Sequence, residues 1–587
     1  MFRLLRFVKK REIPIVLFIV ALIVGNVWLE LKIFDYMKEI TTIISNPALI
    51  GNTRDIWING GYMLGCAVGS ALGAVVVNFF VARLSARLGM RIRSAVYDKV
   101  MSFSDAEIKH FSTASLITRS TNDVTQVQNL FSMGIRMIVR APVTAIMALC
   151  KIASSDISWT LATVAAVVFL VIIILIIVLV ALPKFRKIQT LTDNLNRVTR
   201  EGLTGTRVVR AFNAEGYQET KFEKVNDDVT KNNLFINRMM SLLDPAMSLI
   251  MNGLPLSIYI IGASLIANSA FPEKITLFAN MTIFSGYAIQ VVMSFVMLIA
   301  IFIMFPRAQV AATRINEILH TKNSIVDGNG TDKPIKTGEV QFVNVGFKYP
   351  DAEEYVLHDI NFKAEKGQVI AFIGSTGSGK STLINLVPRF YDATEGQVIV
   401  DGVNVKDYTL EQLNNKIGYI SQKAVLFSGT VKSNIILGEK DGLKPNDEEI
   451  KKALEISQSK FVDDLPNGVD SEINQGGKNV SGGQKQRLSI ARALARDPEI
   501  LIFDDSFSAL DYKTDKELRQ ALKEKAADKT CLIVAQRIGT IKNADKIIVL
   551  DEGTVVGEGT HDELMANCKI YKEIALSQLS KEELKNA

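Results

Sequence analysis

Histidine and cysteine are scarce in this chain, whose 587 residues include four of each. The cysteines Cys66, Cys150, Cys531 and Cys568 lie far apart, and their spacing fits neither a zinc site nor a disulfide framework. Buried packing is therefore their expected role. Internal repeats and low-complexity tracts are also missing, so long disordered segments are not expected.

Long apolar runs, in contrast, fill the first half of the chain. The stretch 161–182 holds no charged residue and is long enough to cross a bilayer as a helix. It has no polar face that could meet water, which argues against a soluble helix bundle. Similar stretches bring the predicted number of membrane spans to six: 13–31, 57–81, 131–153, 243–267 and 277–305.

Basic residues predict the orientation of these spans. They are concentrated before the first span, at residues 3–11, and again after the second and fourth spans, whereas the connections after the first, third and fifth are short and poor in Lys and Arg. By the positive-inside rule, both termini face the cytoplasm. The net charge of +6 is explained mainly by this topology, so nucleic-acid binding has little support. The first span lacks a persuasive cleavage site and is predicted to be permanent.

The soluble half carries a phosphate-binding pattern. A strand-like run, 368–373, leads into a glycine-rich loop and then into a helical stretch, which is the strand–loop–helix setting that this pattern requires. Backbone N–H groups of such a loop surround phosphates, Lys380 is predicted to lie against the terminal phosphates, and the Ser381 hydroxyl is predicted to bind Mg²⁺. The predicted loop residues are Gly374, Ser375, Thr376, Gly377, Ser378, Gly379, Lys380, Ser381 and Thr382.

We therefore predict a six-span helical membrane domain over 1–306, a linker over 307–338 and a cytoplasmic α/β P-loop nucleotide-binding domain over 339–587. Two long cytoplasmic loops of the membrane domain are rich in helix formers, and helical extensions below the membrane are expected there. The linker ends in a turn-rich segment, 327–334.

Further motifs are specific in combination. The apolar strand 500–504 ends in Asp504, and the stretch Ser481-Gly482-Gly483-Gln484 lies between it and the P-loop. With these motifs the chain resembles an ATP-binding cassette (ABC) exporter half-transporter over nearly its whole length. Val480 stands where the family signature has Leu. Fusion of membrane and nucleotide-binding parts in this order is an exporter trait, and segments 116–124 and 201–212 resemble the regions that couple the two parts.

The resemblance implies roles for individual residues. Tyr349 matches the aromatic residue that stacks on adenine, and Asp504, Gln422 and Ser381 match the groups that hold Mg²⁺. Asp511 matches the loop that communicates between two ATP sites. In this family each ATP lies between the P-loop of one chain and the signature of another, here Ser481, Gly482, Gly483 and Gln484.

Two positions depart from the family pattern. Asp505 stands where the family has a Glu that polarises the attacking water, and Gln536 stands where it has a His that contacts the terminal phosphate. The shorter Asp side chain withdraws its oxygens by about 1.5 Å, and a misplacement on that scale can cost about 10²-fold in rate. Gln536 cannot become cationic near neutral pH. The histidines lie outside 531–539, at His110, His320, His358 and His561.

The resemblance and the departures together predict a membrane ATPase that binds ATP and Mg²⁺ but hydrolyses ATP weakly at its own P-loop. Its implied partner is a non-identical half-transporter with the family Glu and His, in a bacterial cell membrane. Amphipathic drug-like molecules are the favoured substrates. The alternatives are a homodimeric lipid or peptide exporter or flippase, and an ATP-gated channel or regulator. A soluble DNA-repair or translation ATPase is disfavoured by the six spans.

The substrate site is not defined by the sequence. Several side chains would suit an adaptable apolar cavity, although helix packing or lipid contact is favoured for most of them: Met133, Met137, Met281, Phe284, Met293, Phe295 and Met297. Arg136 and Arg140 share one face of the third span. They are predicted either to meet an anionic group or, preferably, to reach toward the membrane edge.

Overall fold

The computed structural model describes residues 2–46, 53–153, 157–270, 273–331, 337–439 and 442–578. Residues 332–336 of the predicted linker, and 440–441 and 579–587 of the predicted nucleotide-binding domain, lie outside the described residues. The chain forms two units: the first comprises Met1–Lys99 and Ala114–Thr321, and the second comprises Val100–Thr113 and Lys322–Ala587.

Long helices build the first unit. Six of its helical stretches are long and apolar enough to cross a membrane, which confirms the six predicted spans. The helices of the first half of the chain are α1 (Ile13–Ser45), α2 (Thr53–Met101), α3 (Asp105–Phe111, in the second unit), α4 (Thr113–Thr118), α5 (Val124–Ala153), α6 (Ile157–Thr204), α7 (Thr206–Ala211), α8 (Glu215–Met240), α9 (Leu243–Asn268) and α10 (Glu273–His320).

Several helices extend well beyond the thickness of a membrane. Helix α2 has 49 residues and α6 has 48, so at 1.5 Å per residue each is about 70 Å long, against a hydrocarbon core of about 30 Å. This length agrees with the helical extensions expected from the sequence. Helix α10 continues to His320, so the first part of the predicted linker is helical.

The interior of the first unit is apolar. One cluster joins α1, α5, α6, α9 and α10 around Trp159, Phe284 and Tyr287, and a smaller one joins α1 and α2 around Ile19 and Val81. Phe284 is buried, and Met281 and Phe295 pack against the larger cluster, as the packing interpretation predicts. Met133 and Met293 are exposed on this chain.

Ion pairs connect the membrane helices. Arg140 of α5 donates from Nη2 to both carboxylate oxygens of Glu30 on α1, each at 2.8 Å, and Ser70 of α2 donates to the same carboxylate at 3.2 Å. Arg136 donates to Asn78 at 2.7 Å. Arg140 therefore binds an anionic group of its own chain. The sequence favoured a side chain that reaches toward the membrane edge, and the structure shows this ion pair instead.

We expect the substitution Glu30→Gln to destabilise the protein, because it leaves the partly exposed Arg140 guanidinium without its carboxylate partner. Loss of a charge-assisted hydrogen bond of this kind costs about 1–3 kcal/mol. The measurement is the melting temperature of the purified protein in one detergent. The double variant Glu30→Gln/Arg140→Gln should recover much of the loss, and equal melting temperatures for the single and double variants would contradict the prediction.

The second unit is an α/β structure with two main sheets. A six-stranded sheet has the order β12-β11-β3-β10-β9-β6, and a four-stranded sheet has the order β2-β1-β4-β5. The strands are β1 (Val340–Phe347), β2 (Leu357–Ala364), β3 (Val369–Gly374), β4 (Glu395–Val400), β5 (Val403–Asn404), β6 (Ile417–Ile420), β7 (Gly429–Thr430), β8 (Glu472–Ile473), β9 (Ile500–Asp504), β10 (Thr530–Val534), β11 (Lys546–Asp551) and β12 (Thr554–Gly559).

Helices cover these sheets. They are α11 (Lys380–Asn385), α12 (Leu410–Lys416), α13 (Val431–Ile435), α14 (Asp447–Ile456), α15 (Gly482–Ala495), α16 (Tyr512–Lys525), α17 (Ile538–Ile541), α18 (His561–Asn567) and α19 (Lys569–Gln578). The predicted fold class, six membrane helices followed by an α/β nucleotide-binding domain, is confirmed.

Strand pairing brings the predicted motifs to one edge of the six-stranded sheet. Strands β3, β10 and β9 are adjacent and parallel. Their carboxyl ends therefore lie side by side, and it is there that open α/β sheets bind ligands. The loop after β3 is the predicted P-loop, β9 ends at Asp504, and Gln536 follows β10.

Candidate active site

The P-loop connects β3 to α11 and depends on glycine at two positions. Gly379 has a φ of 92°, in the left-handed region that side chains disfavour. A Cβ on Gly374 would lie 2.0 Å from the backbone oxygen of Leu550, so only glycine fits. Lys380 is buried, and its Nζ donates to the backbone oxygens of Gly374 at 2.9 Å and Ser375 at 2.6 Å. Burial lowers the pKa of Lys380, while the charge of Asp505 acts in the opposite direction.

The predicted metal-binding groups lie together beside this loop. The Ser381 hydroxyl donates to Oδ1 of Asp504 at 2.7 Å, and the Tyr419 hydroxyl donates to Oδ2 of Asp504 at 3.3 Å. Burial raises the pKa of Asp504, and these two hydrogen bonds oppose the shift. A hydroxyl next to a carboxylate offers the hard oxygen donors that Mg²⁺ prefers, so the residues fit that ion.

Asp505, Gln422 and Gln536 form a hydrogen-bonded cluster at the same edge. The Gln536 side-chain amide donates to Oδ2 of Asp505 at 2.9 Å, and the Gln422 amide donates to the same oxygen at 3.1 Å. Asp505 has a φ of 48°, a left-handed conformation that Asp tolerates better than most residues. Burial raises the pKa of Asp505, while the hydrogen bond from Gln422 lowers it. The two departures from the family pattern are therefore in direct contact.

The signature residues begin a different element. Ser481 is the N-cap of α15, where its hydroxyl accepts from the Gln484 backbone N–H at 3.3 Å and the Gln484 side chain accepts from the Ser481 N–H at 2.8 Å. Ser481 and Gly482 are exposed, and apart from the adjacent residues and the backbone of α15, no atom of the described residues lies within 4 Å of a Cβ built on Gly482. Asp511 caps α16, accepting from the Thr514 N–H at 3.0 Å. Among the described residues, no hydrogen bond joins this signature to the P-loop of its own chain.

Comparison with known proteins agrees with both halves of this arrangement. The family model described as the ABC transporter transmembrane region matches residues 15–294, and the ABC transporter model matches residues 357–508. An uncharacterised ABC transporter ATP-binding protein of Mycobacterium tuberculosis is 36% identical over 539 residues, covering 91% of each chain. This chain belongs to the ABC transporter family.

Further matches support an ABC exporter. An ATP-dependent lipid A-core flippase of Pseudomonas aeruginosa is 32% identical over 550 residues, covering 92% of this chain and 89% of the relative. The structure of a bacterial Atm1-family ABC exporter with ATP bound has a TM-score of 0.79 at 22% identity, covering 98% of this chain and 99% of that one. The protein is thus a multi-pass membrane ABC exporter with an ATPase domain. The substrate and subunit composition predicted from the sequence stay predictions.

In this ABC exporter, the short helix α3 belongs to the nucleotide-binding unit, although the chain reaches it from the membrane helix α2. Lys109 of α3 donates to the Tyr391 hydroxyl at 2.8 Å, and the same Nζ lies 2.7 Å from an Asp105 oxygen. Tyr391 also donates to Asp105. Lys109 lies 5.7 Å from the ring centre of Tyr349, the predicted adenine-stacking residue. The Tyr349 hydroxyl in turn lies 2.9 Å from the Thr382 hydroxyl, in the P-loop region.

The charge state of this α3 cluster is stable near neutral pH. Burial is the largest single influence on both charged groups and favours their neutral forms. The hydrogen bonds of Lys109 and Asp105 with each other and with Tyr391, together with their opposite charges, outweigh burial, so the pKa of Lys109 is raised and that of Asp105 is lowered. Burial and the Asp105 hydrogen bond raise the pKa of Tyr391 to about 12. Lys109 is therefore cationic beside the aromatic ring of Tyr349, and because its side chain is exposed this arrangement is worth about 0.5–1 kcal/mol.

We expect the substitution Lys109→Met to reduce transport per ATP hydrolysed, by about tenfold. Methionine keeps the length of the side chain but removes the cation that joins α3 to Tyr349 and Tyr391. The measurement is the ratio of substrate flux to phosphate release in proteoliposomes. Lys348→Met is the matched control, because Lys348 makes a similar contact with Tyr355 and, among the described residues, has no hydrogen bond or ring contact with α3. An equal ratio in both variants would contradict the prediction.

Sequence reasoning missed Tyr419, Lys109 and Tyr391. A signal for α3 was present, since Ser104 and Glu107 form a capping box that marks the start of a short helix. No local pattern links that helix to Tyr391, because the contact joins residues far apart in the chain.

Proposed function

We propose that this chain is one half of an ATP-driven exporter for amphipathic or hydrophobic molecules. It pairs with a non-identical half-transporter, and ATP at its own P-loop is hydrolysed slowly. The observation that carries this proposal is the convergence of two amides, from Gln422 and Gln536, on one carboxylate oxygen of Asp505.

This convergence weakens Asp505 as a general base. A base must direct a carboxylate lone pair at the attacking water, within about 2.6–3.2 Å. Oδ2 of Asp505 already accepts two hydrogen bonds, and the side chain is one methylene shorter than the Glu of the family pattern. Gln536 brings an uncharged amide, so it does not supply positive charge to stabilise the transition state.

In contrast to the catalytic groups, the groups predicted to bind the nucleotide match the family pattern. Lys380 and the P-loop backbone would hold the phosphates, and Tyr349 would stack on the base. Ser381, Asp504 and Gln422 would hold Mg²⁺, which when bound neutralises phosphate charge. The site therefore suits long retention of ATP better than rapid cleavage.

The position of the signature supports the proposal of a non-identical partner. The stretch from Ser481 to Gln484 is intact and begins with two exposed residues, and in this family it completes an ATP site on another chain. If two copies of this chain paired, both ATP sites would contain Asp505 and Gln536. A partner with Glu and His would instead form one efficient site with this signature, and ATP binding at both sites would drive alternating access of the membrane helices.

A lipid substrate is the second candidate. It is favoured by the relative named as an ATP-dependent lipid A-core flippase, which matches 92% of this chain. A lipid flippase needs the same ATP sites. This candidate therefore differs in the transported substrate and not in how ATP is bound and hydrolysed. Uptake of a fluorescent phospholipid and of an amphipathic dye, each into inside-out vesicles, would distinguish the two cargoes.

The experiment that tests the slow site uses the full chain purified alone and reconstituted in proteoliposomes. We expect ATP to be retained at the P-loop with little phosphate release, and Lys380→Ala to abolish the retention. Rapid, cooperative turnover without any companion chain would overturn both the slow site and the need for a different partner.

A further inference from the structure

A small cavity lies between α1 and α2, in the first unit. Its volume is about 220 Å³, and it is lined by Ile15, Phe80, Arg83, Leu84 and Arg87. Arg83 and Arg87 are four residues apart, so they lie on the same face of α2 and one helical turn from each other. The surface that faces the cavity is almost wholly apolar, so the two arginines line it with the aliphatic parts of their side chains.

The cavity lies at the cytoplasmic end of two membrane spans. The apolar stretch 57–81 of α2 ends just before Arg83, and the apolar stretch of α1 begins just before Ile15. At that depth lipid headgroups meet hydrocarbon, so an occupant would have a polar group near the arginines and an apolar chain beside Ile15 and Phe80. The ring of Phe80 is itself held edge-on against Phe18 at 5.6 Å.

Among the described residues, neither arginine of the cavity is neutralised by an ion pair. In the part of the chain that the structure describes, neither guanidinium has a hydrogen-bond or ion-pair partner. The nearby carboxylate of Glu12 is occupied by Arg91, which donates to both of its oxygens at 2.7 Å. Arg87 is within electrostatic range of Glu12 but does not bind it.

We propose that this cavity binds an anionic phospholipid of the cytoplasmic leaflet. The first part of an acyl chain would fill the cavity against Ile15, Phe80 and Leu84. The phosphate would lie at the edge of the cavity, within reach of the Arg83 and Arg87 guanidinium groups. Basic pockets between membrane helices on the cytoplasmic side are suited to such headgroups. Arginine at the end of a span often reaches only toward bulk headgroups, but here an apolar cavity adjoins the two cations. The site does not depend on the transported substrate or on the partner chain.

The test is lipid retention by the full chain, measured by native mass spectrometry after exchange into detergent with phosphatidylglycerol or phosphatidylcholine of the same chain length. The wild type should retain one phosphatidylglycerol at least tenfold more tightly than phosphatidylcholine. Arg83→Gln/Arg87→Gln should lose this preference. Arg307→Gln is the matched control, since Arg307 is an exposed arginine just after the apolar run of α10 and does not line the cavity.

A second variant separates a built site from a general attraction to positive charge. Ile15→Trp fills the cavity and keeps both arginines, so it should also reduce phosphatidylglycerol retention, by at least fivefold. Melting temperatures identify variants that fail to fold. In that case Arg83→Lys/Arg87→Lys is measured instead, and it should weaken but not remove the preference for phosphatidylglycerol. Equal retention in the wild type and Arg83→Gln/Arg87→Gln, an equal loss in Arg307→Gln, or no effect of Ile15→Trp would overturn the proposal.

Discussion

The double substitution Asp505→Glu/Gln536→His should raise ATP turnover of the chain by about 10²-fold. The longer glutamate side chain in this variant would reach further toward the attacking water, and the imidazole would replace the amide that now donates to the carboxylate at 2.9 Å. Asp505→Glu alone should give only part of the gain. The Gln422 amide would remain, and residue 505 would still need a φ near 48°, which Glu adopts less readily than Asp.

Phosphate release by the chain purified alone is the measurement, because both ATP sites of a self-paired chain would carry the change. The matched control is Asp505→Asn/Gln536→His, which contains the same imidazole but no carboxylate and should show no gain. If the variant with glutamate and histidine turns over no faster than the wild type, the limitation lies outside the Asp505 cluster, and the slow-site proposal fails.

The substitution Gly482→Asp should have the opposite effect and nearly abolish ATP turnover of the chain with its partner, by more than about 10²-fold. Among the described residues, no atom beyond the adjacent residues and the backbone of α15 lies within 4 Å of a Cβ at this position, so the fold accommodates the side chain. The new carboxylate would instead face the terminal phosphate held by the partner P-loop. Since that site is proposed to be the efficient one, repulsion there should stop the cycle.

Two measurements on the Gly482→Asp pair distinguish this outcome from general damage. Nucleotide retention at the P-loop of this chain should be unchanged, because in the proposed pair that site is completed by the signature of the partner. Lys380→Ala should show the reverse pattern, with retention lost at this P-loop and turnover at the other site partly kept. Loss of both activities in Gly482→Asp would contradict the assignment of the signature to the efficient site.

The sequence predicted the features that depend on short, local patterns. The strand before Gly374, the phosphate loop and the strand that ends at Asp504 are continuous segments, and parallel pairing of β3, β10 and β9 brings them together. The membrane spans were equally predictable from the sequence, because length and apolar composition are sufficient to identify them.

Contacts between distant segments were not predictable in this way. The Glu30 carboxylate meets Arg140 only because α1 and α5 pack together, and neither residue has a neighbouring signal for the other. For the same reason, the sequence identified Asp505 and Gln536 as separate departures from a pattern and did not predict that their side chains are hydrogen-bonded to each other.

The membership of α3 in the nucleotide-binding unit has a practical consequence for work with fragments. A truncated protein that starts after Thr321 would lack Val100–Thr113, and with it Lys109 and Asp105. Tyr391 would lose both hydrogen-bonding partners, and the ring of Tyr349 would lose its neighbouring cation. Nucleotide affinities measured on such a fragment would therefore describe an altered environment of Tyr349, the predicted adenine-stacking residue. A peptide spanning 100–113, added in trans, is the reagent that would restore that environment.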